Sequence, residues 1–140
     1  MIMSMSVEEI LENIDYISYS IPDDLMEEEI FSLCQNSRYA CPACMFFCKV
    51  GAVSDGHMYA GNAYLLGARL FVIEREIDLP EDAGYIIVKN VAETLNKLAV
   101  IFYQDPGKAL RLIGITGTKG KTTVALSVYR IASSAGIRIG

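Results

Sequence analysis

Leu110-Arg-Leu-Ile-Gly-Ile-Thr-Gly-Thr-Lys-Gly-Lys-Thr-Thr-Val-Ala-Leu-Ser-Val-Tyr-Arg-Ile-Ala-Ser-Ser-Ala-Gly136 contains three kinds of structure in a fixed order. Residues 110–115 are apolar on both alternating faces and read as a buried strand. Thr116–Lys121 reads as a Gly-rich loop. Thr122–Ala135 reads as a helix, with Val124, Val128, Ile131 and Ala135 on one face and Gly136 as its stop. Strand, Gly-rich loop and helix in that order make a phosphate cradle. Gly117 and Gly120 allow the backbone to turn its amides inward, and the helix start adds its positive end. Lys121 suits the β- and γ-phosphates and the Thr122 hydroxyl suits Mg²⁺, while Thr118, Lys119 and Thr123 complete the loop. The strict pattern G-x-x-x-x-G-K-[ST] is not fully met, because Ile115 stands where its first Gly belongs and Gly114 comes one residue early. Such a loop implies a nucleoside triphosphate and leaves a kinase, a GTPase and a ligase open.

Working back from this loop, Gln104-Asp-Pro-Gly107 marks a domain boundary, because Pro and Gly end the preceding helix and the charge changes sign there. Residues 106–140 carry six basic side chains and no carboxylate, whereas the upstream part carries six basic and all 17 acidic ones. The C-terminal quarter is thus suited to an anion. Upstream, helices and strands alternate. Ser6-Val-Glu-Glu9 is a capping box opening an amphipathic helix, which Ile21-Pro-Asp-Asp24 breaks. Strands are expected over 28–34, 45–50, 68–73 and 85–88, and helices over 59–67 and 91–103, the latter with Leu95, Leu98, Ala99 and Phe102 on one face. Residues 74–82 read as a charged loop. This order predicts an α/β fold: a small sheet domain packed by helices over 1–107, then the first strand, phosphate loop and helix of a second domain over 108–140.

The 140 residues are 52% hydrophobic with a mean hydropathy of +0.31, which excludes a disordered tail and leaves room for one domain plus the start of another. A net charge of -5 argues against nucleic acid as the main partner. Neither a membrane-spanning run nor a secretory leader is evident, so a cytoplasmic location is expected. Cys34, Cys41, Cys44 and Cys48 fall within fifteen residues. Cys41-Pro-Ala-Cys44 has zinc-knuckle spacing, but the second Cys-x-x-Cys is missing, and the expectation is core and turn thiols without metal.

Thr116-Gly-Thr-Lys-Gly-Lys-Thr-Thr123 resembles the ATP loop of the Mur ligase family, which usually has Asn in place of Lys119. Asn36-Ser-Arg38 resembles that family's Asp-Ser-Arg turn, and Cys41-Pro-Ala-Cys-Met-Phe-Phe-Cys-Lys-Val-Gly51 its Pro-Gly-Asp-Leu-Phe strand. Asp55-Gly-His57, Gly67-Ala68 and Phe102-Tyr103 before a Pro follow in the family's order. Ala92 stands where many members have Arg. The likeness is greatest to the amino-terminal part of members that extend UDP-N-acetylmuramoyl-L-alanyl-D-glutamate, and it covers roughly residues 30 to 125.

The resemblance implies a UDP-binding first domain, with Ser37 and Arg38 at uridine and His57 near the diphosphate. It implies ATP and Mg²⁺ at Gly117–Thr123, with Thr122 as a metal ligand. The implied reaction joins UDP-N-acetylmuramoyl dipeptide to an amino acid at the cost of ATP. Two alternatives remain: another amide ligase of the same superfamily, at a neighbouring cell-wall step or of cyanophycin type, or a non-catalytic UDP-nucleotide-binding module. These residues alone are expected to be inactive, with 108–140 either loosely held or contacting a second chain.

Overall fold

The computed structural model describes residues 3–105 and 113–139. The chain divides into two compact units, Met1–Pro106 and Gly107–Gly140.

In the first unit, Ser6 caps α1 (Val7–Asn13): its hydroxyl accepts from the Glu9 amide while the Glu9 carboxylate accepts from the Ser6 amide. Five strands form one sheet: β2 (Ser18–Ser20), β4 (Ser32–Cys34), β5 (Cys44–Phe47), β6 (Leu70–Ile73) and β7 (Gly84–Ile87). Their order is β2-β7-β6-β5-β4, with β2 antiparallel and the other four parallel. A separate ribbon pairs β1 (Met5–Ser6) with β3 (Glu29–Ile30).

β5 and β6 are buried along their whole length, and their alternation divides the core in two. Met45, Phe47, Leu70, Val72 and Ile86 face α1 and α4 (Val91–Phe102) with Val7, Ile10, Leu98 and Phe102. On the other face, Cys44, Phe46, Cys48, Phe71 and Ile73 pack with Ala60 and Ala63 of α3 (Ala60–Leu65). The result is a sheet between helical layers, with the carboxyl ends of four parallel strands along one edge.

Several expected elements differ in detail. The strand expected over 28–34 is two short ones flanking Phe31, which is 49% exposed. The helix expected over 59–67 begins as a 3-10 turn at Gly56–Tyr59 and ends at Leu65. Pro22 precedes a one-turn helix, α2 (Asp23–Met26), rather than only ending a segment. Residues 74–83 join parallel β6 and β7 without a helix.

In the second unit, α5 (Lys121–Ser134) follows a loop whose Gly117 and Gly120 have φ of +151° and +76°. Of the strand expected over 110–115, residues 110–112 lie outside the described residues, as do Pro106 and Gly107 of the expected boundary, and 113–115 carry no regular structure.

Candidate functional site

The loops after β4 and β5 are built by short polar side chains. After β4, the Asn36 carboxamide oxygen accepts from the Arg38 amide at 3.0 Å, and the Cys34 thiol donates to the Asn36 carbonyl at 3.0 Å. These bonds hold the 3-10 turn Ser37–Tyr39. After β5, the Gly56 amide returns to the Lys49 carbonyl and the Gly51 amide to Ser54, both at 2.8 Å, closing a tight loop. Gly56 is required there, because a Cβ would come within 2.7 Å of the Lys49 nitrogen and 2.8 Å of its oxygen.

Between the two loops lies an open groove of about 550 Å³. Gln35, Asn36, Ser37 and Arg38 line one side, and Lys49, Gly51, Ser54, Gly56 and Tyr59 the other. It lies beyond the carboxyl ends of two adjacent parallel strands, where open α/β sheets bind ligands. Among the described residues no carboxylate lines it, although the chain carries 17 acidic residues. Two cations do, Arg38 and Lys49, and among the described residues neither the guanidinium, the ammonium nor the Ser37 hydroxyl has a hydrogen-bond partner. The groove therefore offers two positive charges, a free hydroxyl, two carboxamides and a 43% exposed tyrosine ring. Such a set suits a phosphorylated ligand with a flat, hydrogen-bonding base.

Ser37 and Arg38, expected from the sequence, stand on the groove wall. His57 stands behind it, its side chain only 1% exposed. Its Nδ1 lies 2.6 Å from Asp55 Oδ1, and its Nε2 accepts the Glu74 amide at 3.0 Å. The second bond fixes the tautomer: Nε2 accepts, so Nδ1 carries the hydrogen and donates to Asp55. Asp55 Oδ1 also accepts the His57 amide, and Oδ2 accepts from Arg75. The His57 amide first, then the Arg75 guanidinium and the His57 ring, hold the Asp55 carboxyl far below its ordinary range. Glu74 continues the run, its Oε1 accepting the Val91 amide at the start of α4 at 2.9 Å. A single hydrogen-bonded rail thus ties together the loop after β5, the loop after β6 and the helix after β7.

Sequence reading overlooked Lys49 and Tyr59. Lys49 falls within the strand expected over 45–50, although a cation interrupting an apolar run two residues before Gly51 is the available signal. A second hollow, of about 380 Å³, is lined in part by Ile14, Asp15, Lys89 and Lys97. There Asp15 and Glu93 occupy the Lys97 ammonium at 3.2 and 3.9 Å, leaving it less suited to an anion.

In the second unit, no side chain caps Gly120 at the head of α5, so the first-turn amides carry no side-chain acceptor. A Cβ at Gly117 would meet nothing nearer than 3.7 Å and one at Gly120 nothing within 4 Å. Lys119, Lys121, Thr122 and Thr123 are exposed around this loop, as is Thr118. These residues fit a triphosphate with its Mg²⁺.

Among the described residues, no three Cys, His, Asp or Glu side chains group as a metal site, and no helix is long and apolar enough to cross a membrane.

No family profile matches the chain. It is 35% identical over 136 residues to a UDP-N-acetylmuramoyl-L-alanyl-D-glutamate--2,6-diaminopimelate ligase of Listeria monocytogenes, covering 97% of this chain and 27% of that protein. The enzyme of the same name from Bacillus licheniformis is 41% identical over 114 residues, 81% of this chain and 23% of that protein. Among solved structures, MurF from Acinetobacter baumannii superposes with a TM-score of 0.69 at 21% identity, over 96% of this chain and 29% of that one. The chain spans about a quarter of the length of the curated relatives it matches. In sequence and in fold, it belongs to the Mur ligase family and corresponds to the amino-terminal part of its members.

Proposed function

We propose that the groove between Ser37 and Tyr59 holds the uridine diphosphate portion of a UDP-N-acetylmuramoyl dipeptide, and that the whole protein is an ATP-dependent ligase of peptidoglycan precursor synthesis. The observation that carries this reading is a carboxylate-free groove with two unpaired cations, at the carboxyl ends of parallel strands in an otherwise acidic unit. Arg38 and Lys49 neutralise the diphosphate, and Ser37 with the neighbouring carboxamides reads the uracil edge. His57 holds the loop that carries Lys49. In this reading, residues 1–107 form the UDP-sugar domain and 108–140 open the ATP domain. Gly117–Thr123 wraps the triphosphate, Lys121 balances its charge and Thr122 ligates Mg²⁺. ATP supplies the phosphoryl group that activates the substrate carboxylate, and the amino group of the incoming amino acid displaces phosphate to form the amide. The named relatives act with 2,6-diaminopimelate.

Titration with UDP-N-acetylmuramic acid, followed by amide NMR, tests the groove. Shifts are expected at 35–38 and 49–59, with uridine alone binding more weakly than UDP. Arg38→Ala and Lys49→Ala should each weaken UDP binding by about tenfold, the scale of one charge-assisted hydrogen bond. No shift at millimolar ligand, or shifts confined to other residues, would refute the assignment.

A further inference from the structure

At the amino end of β5, Cys41-Pro42-Ala43-Cys44 makes a tight turn in which the Cys44 amide donates to the Cys41 carbonyl at 3.3 Å. Ala43 has a φ of +58°, the left-handed conformation that a type II turn demands at its third position and that usually selects glycine. A turn of this kind brings its first and fourth Cα atoms within about 7 Å, and disulfides commonly span about 4.4–6.8 Å. The Cys41 amide also donates to the Cys44 sulfur at 3.4 Å, so that sulfur lies over the backbone of the other cysteine. The turn is braced from outside: a Cβ at Gly67, itself at φ +113°, would fall 2.8 Å from the Pro42 ring. Cys41 is exposed, whereas Cys44 is 1% exposed. Of the other two thiols, Cys34 is near enough to act electrostatically on both but donates to the Asn36 carbonyl, and Cys48 is buried at the far end of β5. Pairing in one turn, rather than gathering of three ligands, is what the fold gives these residues.

We propose that Cys41 and Cys44 form a reversible redox dithiol, with a hydroperoxide as oxidant and a small thiol as reductant. The Cys41 sulfur, as thiolate, attacks one peroxide oxygen. An S–O bond forms, the O–O bond breaks, and the departing oxygen leaves as water, or as an alcohol from an organic peroxide. The Cys44 sulfur then attacks the Cys41 sulfenic acid. The S–S bond forms, the S–O bond breaks, and the oxygen leaves as water with the Cys44 proton. The two sulfurs together lose two electrons, which the peroxide gains. Two equivalents of a small thiol reverse the step by exchange through a mixed disulfide. The order follows from access, because burial pushes the Cys44 thiol up to about 11 and leaves the exposed Cys41 to meet the oxidant. This site stands apart from the groove and does not depend on the ligase reading.

The test is treatment of the purified protein with a few equivalents of hydrogen peroxide, blocking of remaining thiols, and peptide mapping by mass. The peptide carrying Cys41 and Cys44 should appear unblocked and lighter by two hydrogens, should revert with dithiothreitol, and should form equally in Cys34→Ser. In Cys44→Ser, dimedone should trap Cys41 as its sulfenic acid. Should wild-type Cys41 advance to sulfinic acid with Cys44 still reduced, or pair with Cys34 or with a second chain, the proposal is overturned. The wild-type map decides the matter even if a variant fails to fold.

Discussion

At the scale of single residues, the side chains that shape the groove are mostly not those that face it. His57 accepts the Glu74 amide, and truncation would leave that N–H without its partner. His57→Ala should cost about 1–3 kcal/mol in urea unfolding, the range for an orphaned buried donor. Gly56→Ala should cost a similar ~1–3 kcal/mol, because the new methyl meets main-chain atoms that cannot turn aside. The thiols set a limit at high pH. Burial raises Cys48 from 9.0 to about 12 and Cys44 to about 11. Their stabilisation is complete below pH 9 and is lost as pH rises toward those values, because only the unfolded chain ionises in that interval. The urea midpoint should therefore fall above pH 9, with a slope of about 1.4 kcal/mol per pH unit for each thiol kept neutral. Asp55 acts at the other extreme. Its carboxyl is lowered from 3.8 by its hydrogen bonds, so its contribution is present above that value and lost on acidification.

At the scale of elements, the capping box offers a direct measurement. Ser6→Ala removes the acceptor for the Glu9 amide and should destabilise the protein by about 1 kcal/mol, read as a lower urea midpoint at unchanged slope. This cap, the central strands β5 and β6 and helix α4 were legible in the sequence, since each has a local signal: a side chain matched to a backbone amide, an unbroken apolar run, or a helical stripe. β2 has no such signal. Its three residues are exposed, and only backbone bonds to β7 place it in the sheet. Phe31 made two short strands look like one, because an exposed aromatic reads like a buried one. The site was legible to the same extent. Ser37 and Arg38 sit in a polar turn that composition marks, whereas the position of His57 behind the wall depends on Glu74, seventeen residues later in sequence.

At the scale of the whole molecule, the two units differ in how much of their surface is buried. β5 and β6 are covered on both faces, while no residue of α5 is buried and Val124, Leu126 and Ile131 are about half exposed or more. Hydrogen exchange should show strong protection at 45–47 and 70–73, and only the slight protection of an isolated 14-residue helix at 121–134. Protection of α5 that grows with protein concentration would identify the expected contact between chains. The rail from Arg75 through Asp55, His57 and Glu74 to Val91 constrains anyone who would rebuild this protein. The loop over 49–57 is not a portable module. Transplanted alone into a related scaffold, it would arrive without the amide that donates to its imidazole or the guanidinium that holds its carboxylate. A chimaera that alters ligand preference must exchange 49–57 and 74–75 together, although the sixteen residues 58–73 separate them.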